Sequence, residues 1–327
     1  EQHSGKIIDY MEVPQQELPD AYEWFAEQVA GHHPSIIKNG KREIGKLFCL
    51  SHGVLKKSGS DKILKPKLEG LRGECEVNVY KMLTRTLRHR TSVELSDDRG
   101  DEMESYGWPD IQIEDVEGLA VLAPRFYGII SLAIDREDHD FLILEDVTAV
   151  YRLPAILDVK MGRVTFDPLA NALKQERETT KYPPQRTLGF RLLGYRMHCH
   201  DGTVIVKDKE WGKTHNENTI LNGLREFFSG RGADSYLLSE ALSKLDRVRQ
   251  WFSTQRSFHF YSSSLLFVYE NDLSRPSNLQ LVMIDFSHVF PANDELDTNY
   301  IHGLDVFHSK MQAIHNEFAS KQEPQCS

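Results

Sequence analysis

The chain has 327 residues, of which 40% are hydrophobic and 27% are charged, and its formal net charge at pH 7 is −10. This composition is that of an ordinary globular protein, long enough to build two lobes around a cleft. No apolar stretch approaches the roughly 18–20 residues of a membrane helix. The negative charge argues against generic nucleic-acid binding, so we expect no nucleic-acid partner. The four cysteines form no CxxC pair, which is typical of reduced thiols.

In the first half of the chain, the hydrophobic patterns predict a small sheet with one helix. In chain order, the predicted elements are a poorly anchored tail over residues 1–25 with a short helical end at 21–25, strands at 45–50 and 62–65 joined by a turn at 58–61, a helix at 74–87, and strands at 125–130 and 140–147. Acidic side chains accumulate at about residues 91–118, which is typical of a solvated loop.

In the second half, residues 145–153 are interpreted as a hinge that leads into the run from Pro154 to Gly162. The elements predicted after that run are helices at 217–229 and 237–255, strands at 258–269 and 279–284, and a closing helix at 300–318.

The run from Pro154 to Gly162 is the most informative feature of the sequence. It places a carboxylate, Asp158, and an amine, Lys160, two residues apart in an apolar stretch. In a strand, residues i and i+2 share a face, so the two side chains are predicted to project together. They form either a structural ion pair or part of a site that binds a charged ligand, because burying both charges without partners is costly. Gly162 permits a tight turn after the strand.

Two further features suggest phosphoryl transfer, although the chain lacks a Walker A sequence and the glycine loop and HRD triplet of protein kinases. Lys65 ends a predicted strand, and Glu76 lies in a predicted helix eleven residues later. A strand lysine held by a helix glutamate can contact ATP phosphates. Asp285 ends an apolar strand, where an acid is either a magnesium ligand or only a cap.

The order of these motifs carries a family resemblance. P-x-x-x-D-x-K-x-G at 154–162 is followed by S-S-L-L at 263–266 and I-D-F at 284–286, an order that resembles the inositol polyphosphate kinase family. The resemblance extends from residue 28 to about 318, apart from the acidic loop at about 91–118. It implies an α+β fold of two lobes with a cleft similar to the nucleotide site of protein kinases and ATP-grasp enzymes. The N-lobe (26–147) would be an antiparallel sheet with a helix, and the larger C-lobe (148–327) would contain a short inositol-binding segment at 167–187.

The resemblance also implies a nucleotide site. Lys65, Arg72 and Glu76 keep the spacing of the multikinase branch around the nucleotide. The backbones of Glu145 and Val147 would hydrogen-bond adenine. Ile63 and Ile284 would sandwich the ring, or they are ordinary core residues. Asp285 and Ser264 would hold the metal.

For catalysis, the resemblance implies that Lys160 bridges the transferred phosphoryl group and the accepting hydroxyl. Asp158 would orient or deprotonate that hydroxyl, or it would hold the ribose. The residues implied in binding the phosphates of the substrate are Arg72, Lys160, Lys174, Arg177, Lys181 and His288. The helical ones among them could instead be a solvated face, and His288 could be an ordinary hydrogen-bonding histidine.

One departure from the multikinases concerns the inositol-binding segment. The segment is short, as in that branch, and a short segment predicts an open site with broad specificity. Multikinases are glutamine-rich where this chain has Glu176-Arg177-Glu178. A carboxylate there would repel phosphate, so substrate contacts are expected to differ.

The resemblance therefore implies an ATP- and Mg²⁺-dependent kinase, with Mn²⁺ as a substitute metal. Its expected substrates are inositol 1,4,5-trisphosphate and tetrakisphosphates, giving pentakisphosphate, and it allows phosphoinositide lipid head groups at a membrane surface. We expect a monomer in the nucleus and cytoplasm. The alternatives are a trisphosphate 3-kinase, a hexakisphosphate kinase, or a non-catalytic scaffold that binds inositol phosphates.

Overall fold

The computed structural model describes residues 18–29, 53–91, 108, 111–134 and 136–322. Among these, the strands in chain order are β1 (Tyr22–Trp24), β2 (Leu55–Lys57), β3 (Lys62–Pro66), β4 (Phe126–Ile134), β5 (Glu137–Glu145), β6 (Pro154–Met161), β7 (Phe190–His198), β8 (Val204–Lys207), β9 (Phe258–Phe260), β10 (Ser264–Glu270), β11 (Gln280–Ile284) and β12 (Val289–Pro291). The helices are α1 (Leu71–Thr91), α2 (Ile113–Leu122), α3 (Ala172–Lys181), α4 (Gln185–Leu188), α5 (Lys209–Lys213), α6 (Ile220–Phe228), α7 (Ser235–Thr254) and α8 (Thr298–Gln322). None of the described helices is long and apolar enough to cross a bilayer.

The strands form two antiparallel five-stranded sheets and a small pair. The first sheet has the order β1-β2-β3-β5-β4, the second has the order β11-β10-β6-β7-β8, and β12 pairs with β9. Every pairing is antiparallel. Helices and antiparallel sheets together confirm the predicted α+β class, with the helix α1 accompanying the first sheet.

Helical periodicity explains why the predicted helices form and which face each buries. In α6, Ile220, Leu224, Phe227 and Phe228 recur at i, i+4, i+7 and i+8, and all are fully buried. They join a main core to which α1, α2, α7, α8 and the second sheet also contribute. A smaller core of Leu55, Leu64, Ile134 and Phe141 lies on the other face of the first sheet.

One prediction in the first half of the chain is wrong, and another falls on residues that the structure does not describe. The expected helical end at residues 21–25 is instead strand β1, which pairs with β2, while Tyr22 and Trp24 pack against the smaller core. The strand before the 58–61 turn is Leu55–Lys57, and the predicted strand at 45–50 lies outside the described residues.

The predicted acidic loop, expected to extend to about residue 118, ends earlier, because α2 begins at Ile113. Its acidic first turn is favoured by the positive end of the helix dipole. Asp115 is buried there, and its carboxylate accepts hydrogen bonds from the Ser257 hydroxyl at 2.6 Å and the Arg256 N–H at 2.9 Å. The described part of the acidic stretch is therefore folded structure; residues 92–107 and 109–110 lie outside the described part of the chain.

The predicted strand at 258–269 is divided into β9 and β10. Ser262 lies between them with a φ of +61°, a left-handed conformation that a continuous strand does not allow. The break lets β9 pair with β12 while β10 enters the second sheet.

A close backbone crossing fixes α8 against the end of β6. Gly189 has a φ of +70°, and a Cβ atom on it would lie 2.6 Å from the Cα of Gly303 in α8. The Gly189 carbonyl accepts a hydrogen bond from the N–H of Gly162, at the end of the run that holds Asp158 and Lys160.

Gly189→Ala is expected to lower the free energy of unfolding by about 3 kcal/mol, from left-handed strain and from overpacking against backbone. Gly202→Ala is the matched control, because Gly202 has a φ of +83° with no heavy atom within 4 Å of the added Cβ. It should lose only about 1 kcal/mol from strain. Urea unfolding measures both variants, and equal losses would contradict the crowding at Gly189.

Candidate active site

Strand β6 lies in the middle of the second sheet and presents Asp158 and Lys160 on one face, as predicted. Leu157 and Val159 on the opposite face are fully buried in the main core. The register places Lys160 between Ser264 of β10 and Arg191 of β7. A serine and two cations therefore cross the sheet in one row beside Asp158.

Lys65 links the two sheets through its ammonium. Its Nζ lies 2.6 Å from Oε1 of Glu76 in α1 and 2.5 Å from Oδ1 of Asp285, which follows β11. Burial disfavours the charged amine, but Asp285 and Glu76 outweigh it and raise the pKa of Lys65 above its usual value. The predicted pair of Lys65 and Glu76 is thus present, and Asp285 is its third member.

Asp285 turns the chain sharply at the end of β11. Its φ is +67°, and the next N–H, of Phe286, donates to Oε1 of Glu76 at 3.2 Å. Burial would raise the pKa of Asp285, but Lys65 outweighs it and leaves the carboxyl below its usual value. The side chain remains 39% exposed, so this strand-end acid is an accessible carboxylate.

Asp158 has the opposite electrostatic environment. Burial, and then the charge of Asp285, raise its pKa from 3.8 to about 7. Lys160 is also affected, since burial and the neighbouring Arg191 lower the pKa of its amine. Shifted pKa values on two neighbouring groups of one strand face are typical of a functional site.

Several buried oxygens near these charges have no hydrogen-bond partner among the described residues: Oδ1 of Asp158, Oγ of Ser264 and Oε2 of Glu76. Free carboxylate and hydroxyl oxygens beside Asp285 are the hard donors that Mg²⁺ prefers. Within the described residues, no group of three or more His, Cys, Asp or Glu side chains could hold a metal alone. The donor set therefore fits a magnesium ion, for which Asp285 and Ser264 would be the protein ligands.

The hinge predicted to contact adenine is held by Asp146. Its buried carboxylate accepts from Lys56 Nζ at 2.5 Å and from the N–H and hydroxyl of Thr148 at 2.9 and 2.6 Å. No described residue accepts a hydrogen bond from the Val147 N–H, so this donor is available. The Glu145 N–H donates to the Arg125 carbonyl, so a nucleotide would have to use the carbonyl of Glu145.

The two isoleucines predicted to sandwich the adenine ring are half-buried. Ile63 lies two residues before Lys65 in β3, packed against the main core. Ile284 lies opposite Ser264 and directly before Asp285. Both are thus next to site residues, and Ile63 also packs against the main core.

Asp167 joins the two ends of the predicted substrate site. Its Oδ2 lies 2.8 Å from Nδ1 of His288 and 3.0 Å from Nζ of Lys174, and its Oδ1 accepts from the Leu169 N–H. Burial, opposed by Asp167, lowers the pKa of His288, and the cations Lys174 and Arg72 lower it further. Lys174, His288 and Arg72 are therefore gathered in one place.

The remaining cations of α3 are already paired within the helix. Lys181 Nζ lies 3.4 Å from Oε1 of Glu178, and Arg177 Nε lies 3.9 Å from the same oxygen. Arg177 is 73% exposed. Its predicted role in phosphate binding is thus the least supported by the geometry.

Comparisons with known proteins agree with this arrangement. A protein-family model described as inositol polyphosphate kinase matches residues 141–312, which is more than half of the chain. The chain belongs to the inositol polyphosphate kinase family. The matched range contains β6, α3, Ser264, Asp285 and His288, whereas Lys65 and Glu76 precede it.

The relatives in this family include several multikinases. The chain is 34% identical over 188 residues to the inositol polyphosphate multikinase of Homo sapiens, covering 57% of this chain and 45% of that protein. It is 30% identical over 222 residues to inositol polyphosphate multikinase alpha of Arabidopsis thaliana, covering 56% and 72%. A crystal structure of the inositol phosphate multikinase of S. cerevisiae with ADP and Mn²⁺ has a similar fold, with a TM-score of 0.59 at 19% identity over 78% of this chain and 99% of that one. The chain spans about half the length of the human relative it matches.

Arg191, which lies opposite Lys160 in the sheet, is a candidate site residue that the sequence alone did not indicate. It is 5% exposed, its guanidinium lies 5.7 Å from the Tyr182 ring centroid, and no described residue accepts a hydrogen bond from its Nε. An arginine among the apolar residues at the start of β7 is the signal in the sequence. Asp167 was noted only as part of a motif, because its contact with His288 joins residues that are far apart in the sequence.

Asp167→Asn is expected to destabilise the protein by about 1–3 kcal/mol at pH 7, because charge-assisted hydrogen bonds to Lys174 and His288 are lost. Burial would raise the pKa of Asp167, but Lys174 and then His288 outweigh it and lower the pKa. The stabilisation is therefore present above the pKa of the unfolded chain and is lost as the pH falls through the lower folded value. Urea unfolding between pH 7 and pH 3 should show the deficit shrinking, and a constant deficit would contradict this origin.

Proposed function

We propose that this chain is an ATP- and Mg²⁺-dependent kinase that phosphorylates inositol polyphosphates with the broad specificity of a multikinase. The observation that carries the proposal is the Lys65 ammonium held between Glu76 and Asp285, next to the Asp158 and Lys160 face of β6. Family membership supports the reaction class. The yeast relative in complex with ADP and Mn²⁺ supports a nucleotide and a divalent metal as the cofactors.

The nucleotide would lie in the cleft between the proposed lobes, residues 26–147 and 148–327. Lys65 would contact its phosphates, Val147 would donate its N–H to adenine, and Asp285 with Ser264 would hold the metal. Bound Mg²⁺–ATP supplies the phosphoryl group and part of the charge neutralisation. Lys65 forms ion pairs with both Asp285 and Glu76. These ion pairs keep the carboxylate proposed to bind the metal close to helix α1.

Lys160 stabilises the charge that develops during transfer, because its amine is preorganised in a buried row beside Arg191. Asp158 offers its unpaired Oδ1 to a hydroxyl. If the hydroxyl is that of the acceptor, Oδ1 orients it or takes its proton, and a pKa near 7 suits that task. If it is that of the ribose, Asp158 positions the nucleotide.

The acceptor would be held by cations that surround this face. Arg191 and Arg72 have no ion pair among the described residues, and His288 and Lys174 are grouped by Asp167. We infer that inositol 1,4,5-trisphosphate and tetrakisphosphates are substrates, giving pentakisphosphate. Helix α3 has ten residues and no buried side chain, so the site is open enough to admit phosphoinositide lipid head groups as well.

The test is a product assay with ATP, Mg²⁺ and inositol 1,4,5-trisphosphate that resolves successive phosphorylated species, with Asp285→Asn as the control. Accumulation of pentakisphosphate that the control abolishes would establish the multikinase. A stop at one tetrakisphosphate would indicate the specificity of a 3-kinase. If no inositol phosphate is turned over, the scaffold alternative takes its place.

A further inference from the structure

Glu178 occupies an unusual position on α3. Its side chain is 14% exposed, whereas that of the adjacent Arg177 is 73% exposed, so Glu178 lies on the inward side of the helix. Glu176, two residues earlier, is exposed. An inward carboxylate on the segment that approaches a polyanionic substrate calls for an explanation.

Cations surround this carboxylate. Lys181 and Arg177 lie 3.4 and 3.9 Å from its Oε1. Beyond them is the buried Arg191, whose guanidinium lies 5.7 Å from the ring centroid of Tyr182, the residue that follows Lys181. No described residue accepts a hydrogen bond from its Nε. Burial lowers the pKa of Arg191, and the charge of Glu178 opposes this. Glu178 is therefore an acidic side chain among cations that the proposed function assigns to substrate phosphates.

The carboxylate has opposite effects on the two substituents an inositol ring can present. Two like charges at close range in a partly desolvated site repel each other, so a phosphate beside Glu178 is disfavoured. A ring hydroxyl can instead donate a hydrogen bond to the carboxylate, which is an acceptor only. The position beside the Glu178 carboxylate therefore distinguishes a free ring hydroxyl from a phosphate.

We propose that Glu178 is a specificity-determining residue. At the inositol ring position that faces Glu178, Lys181 and Arg191, it selects a free hydroxyl and rejects a phosphate. The proposal rests on the proposed inositol phosphate kinase function and deepens it. Glu178 would then limit how many phosphates an inositol ring can carry and still bind. The limit comes mainly from repulsion of an additional phosphate.

The test uses inositol hexakisphosphate, which carries a phosphate at every ring position and so presents one to Glu178 in any orientation. Isothermal titration calorimetry with the full chain should show that Glu178→Gln lowers the Kd for inositol hexakisphosphate by about tenfold or more, because a like charge beside a phosphate is removed. Glu176→Gln is the matched control, because it removes the same charge from the outer side of the same helix. It should change Kd by less than about threefold, and the gain of Glu178→Gln should shrink at high salt.

An equal effect of the two variants would overturn the proposal, because net charge alone would then explain the gain. Weaker binding by Glu178→Gln would also overturn it, since Glu178 would then serve to orient Lys181 and Arg177. The product assay with the unchanged chain is read separately. Tighter binding by Glu178→Gln without turnover of any inositol phosphate would refute the kinase but keep the binding selectivity.

Discussion

Lys160→Met is expected to lower kcat by about 10²–10³, the usual cost of removing one preorganised donor from a transferring group. The methionine keeps the length and apolar stem of the side chain but removes its charge. Because the amine of Lys160 lies beside Arg191 and its pKa is already lowered by burial, its removal relieves repulsion. The variant should therefore keep the thermal stability of the unchanged chain, which separates lost chemistry from lost folding.

Single-turnover rates with saturating ATP and inositol 1,4,5-trisphosphate measure this effect, and thermal unfolding accompanies them. The control is Lys207→Met on β8, whose lysine pairs with Glu226 at 3.4 Å away from the row of cations. That variant should retain its rate. A Lys160→Met enzyme with less than a tenfold loss would show that Lys160 does not act on the transferred group.

The part of the site that could be predicted from the sequence depends on local geometry. Asp158 and Lys160 share a face because a strand repeats every two residues, and that holds wherever the strand lies. Lys65 and Glu76 are eleven residues apart in adjacent elements, and they form the expected ion pair. In both cases the relevant residues lie within one strand or one strand–helix unit.

The contacts that could not be predicted join distant parts of the chain. Asp285 is 220 residues from Lys65, and no spacing in the sequence indicates that their side chains meet. Asp115 belongs to an acidic stretch whose composition is typical of a solvated loop. Its burial depends on Ser257, 142 residues later, so tertiary contacts outweigh the composition.

Short segments were the weakest part of the fold prediction for a related reason. Residues 21–25 are few enough to fit a helical turn or a strand, and pairing with β2 decides the outcome. At Ser262, an apolar run that favours one continuous strand is interrupted by a left-handed residue. Neither pairing partners nor such a conformation can be derived from hydrophobic periodicity.

Asp158→Asn is expected to make the protein more stable than the unchanged chain at pH 8, by on the order of 3 kcal/mol, while abolishing or redirecting its activity. The pKa of Asp158 is raised from 3.8 to about 7 by burial and by Asp285. With a raised folded pKa, the stability from this carboxyl is fully present below the unfolded value and is lost as the pH rises through about 7. Each pKa unit corresponds to about 1.4 kcal/mol, which sets the scale. The amide avoids this loss because it never ionises.

Urea unfolding without metal at pH 3.5 and pH 8 tests the sign. The two proteins should be nearly equal at pH 3.5, where the carboxyl of Asp158 is largely protonated in both the folded and the unfolded chain and resembles asparagine. The variant should be the more stable of the two at pH 8. Asp167→Asn is the opposite control, since the pKa of Asp167 is lowered and its loss should weaken the protein at neutral pH. The kinetics of Asp158→Asn then assign its role: a loss in kcat places Oδ1 on the accepting hydroxyl, and a rise confined to the KM for ATP places it on the ribose. A variant less stable than the unchanged chain at pH 8 would show that the buried carboxylate is stabilised by its neighbours rather than strained for function.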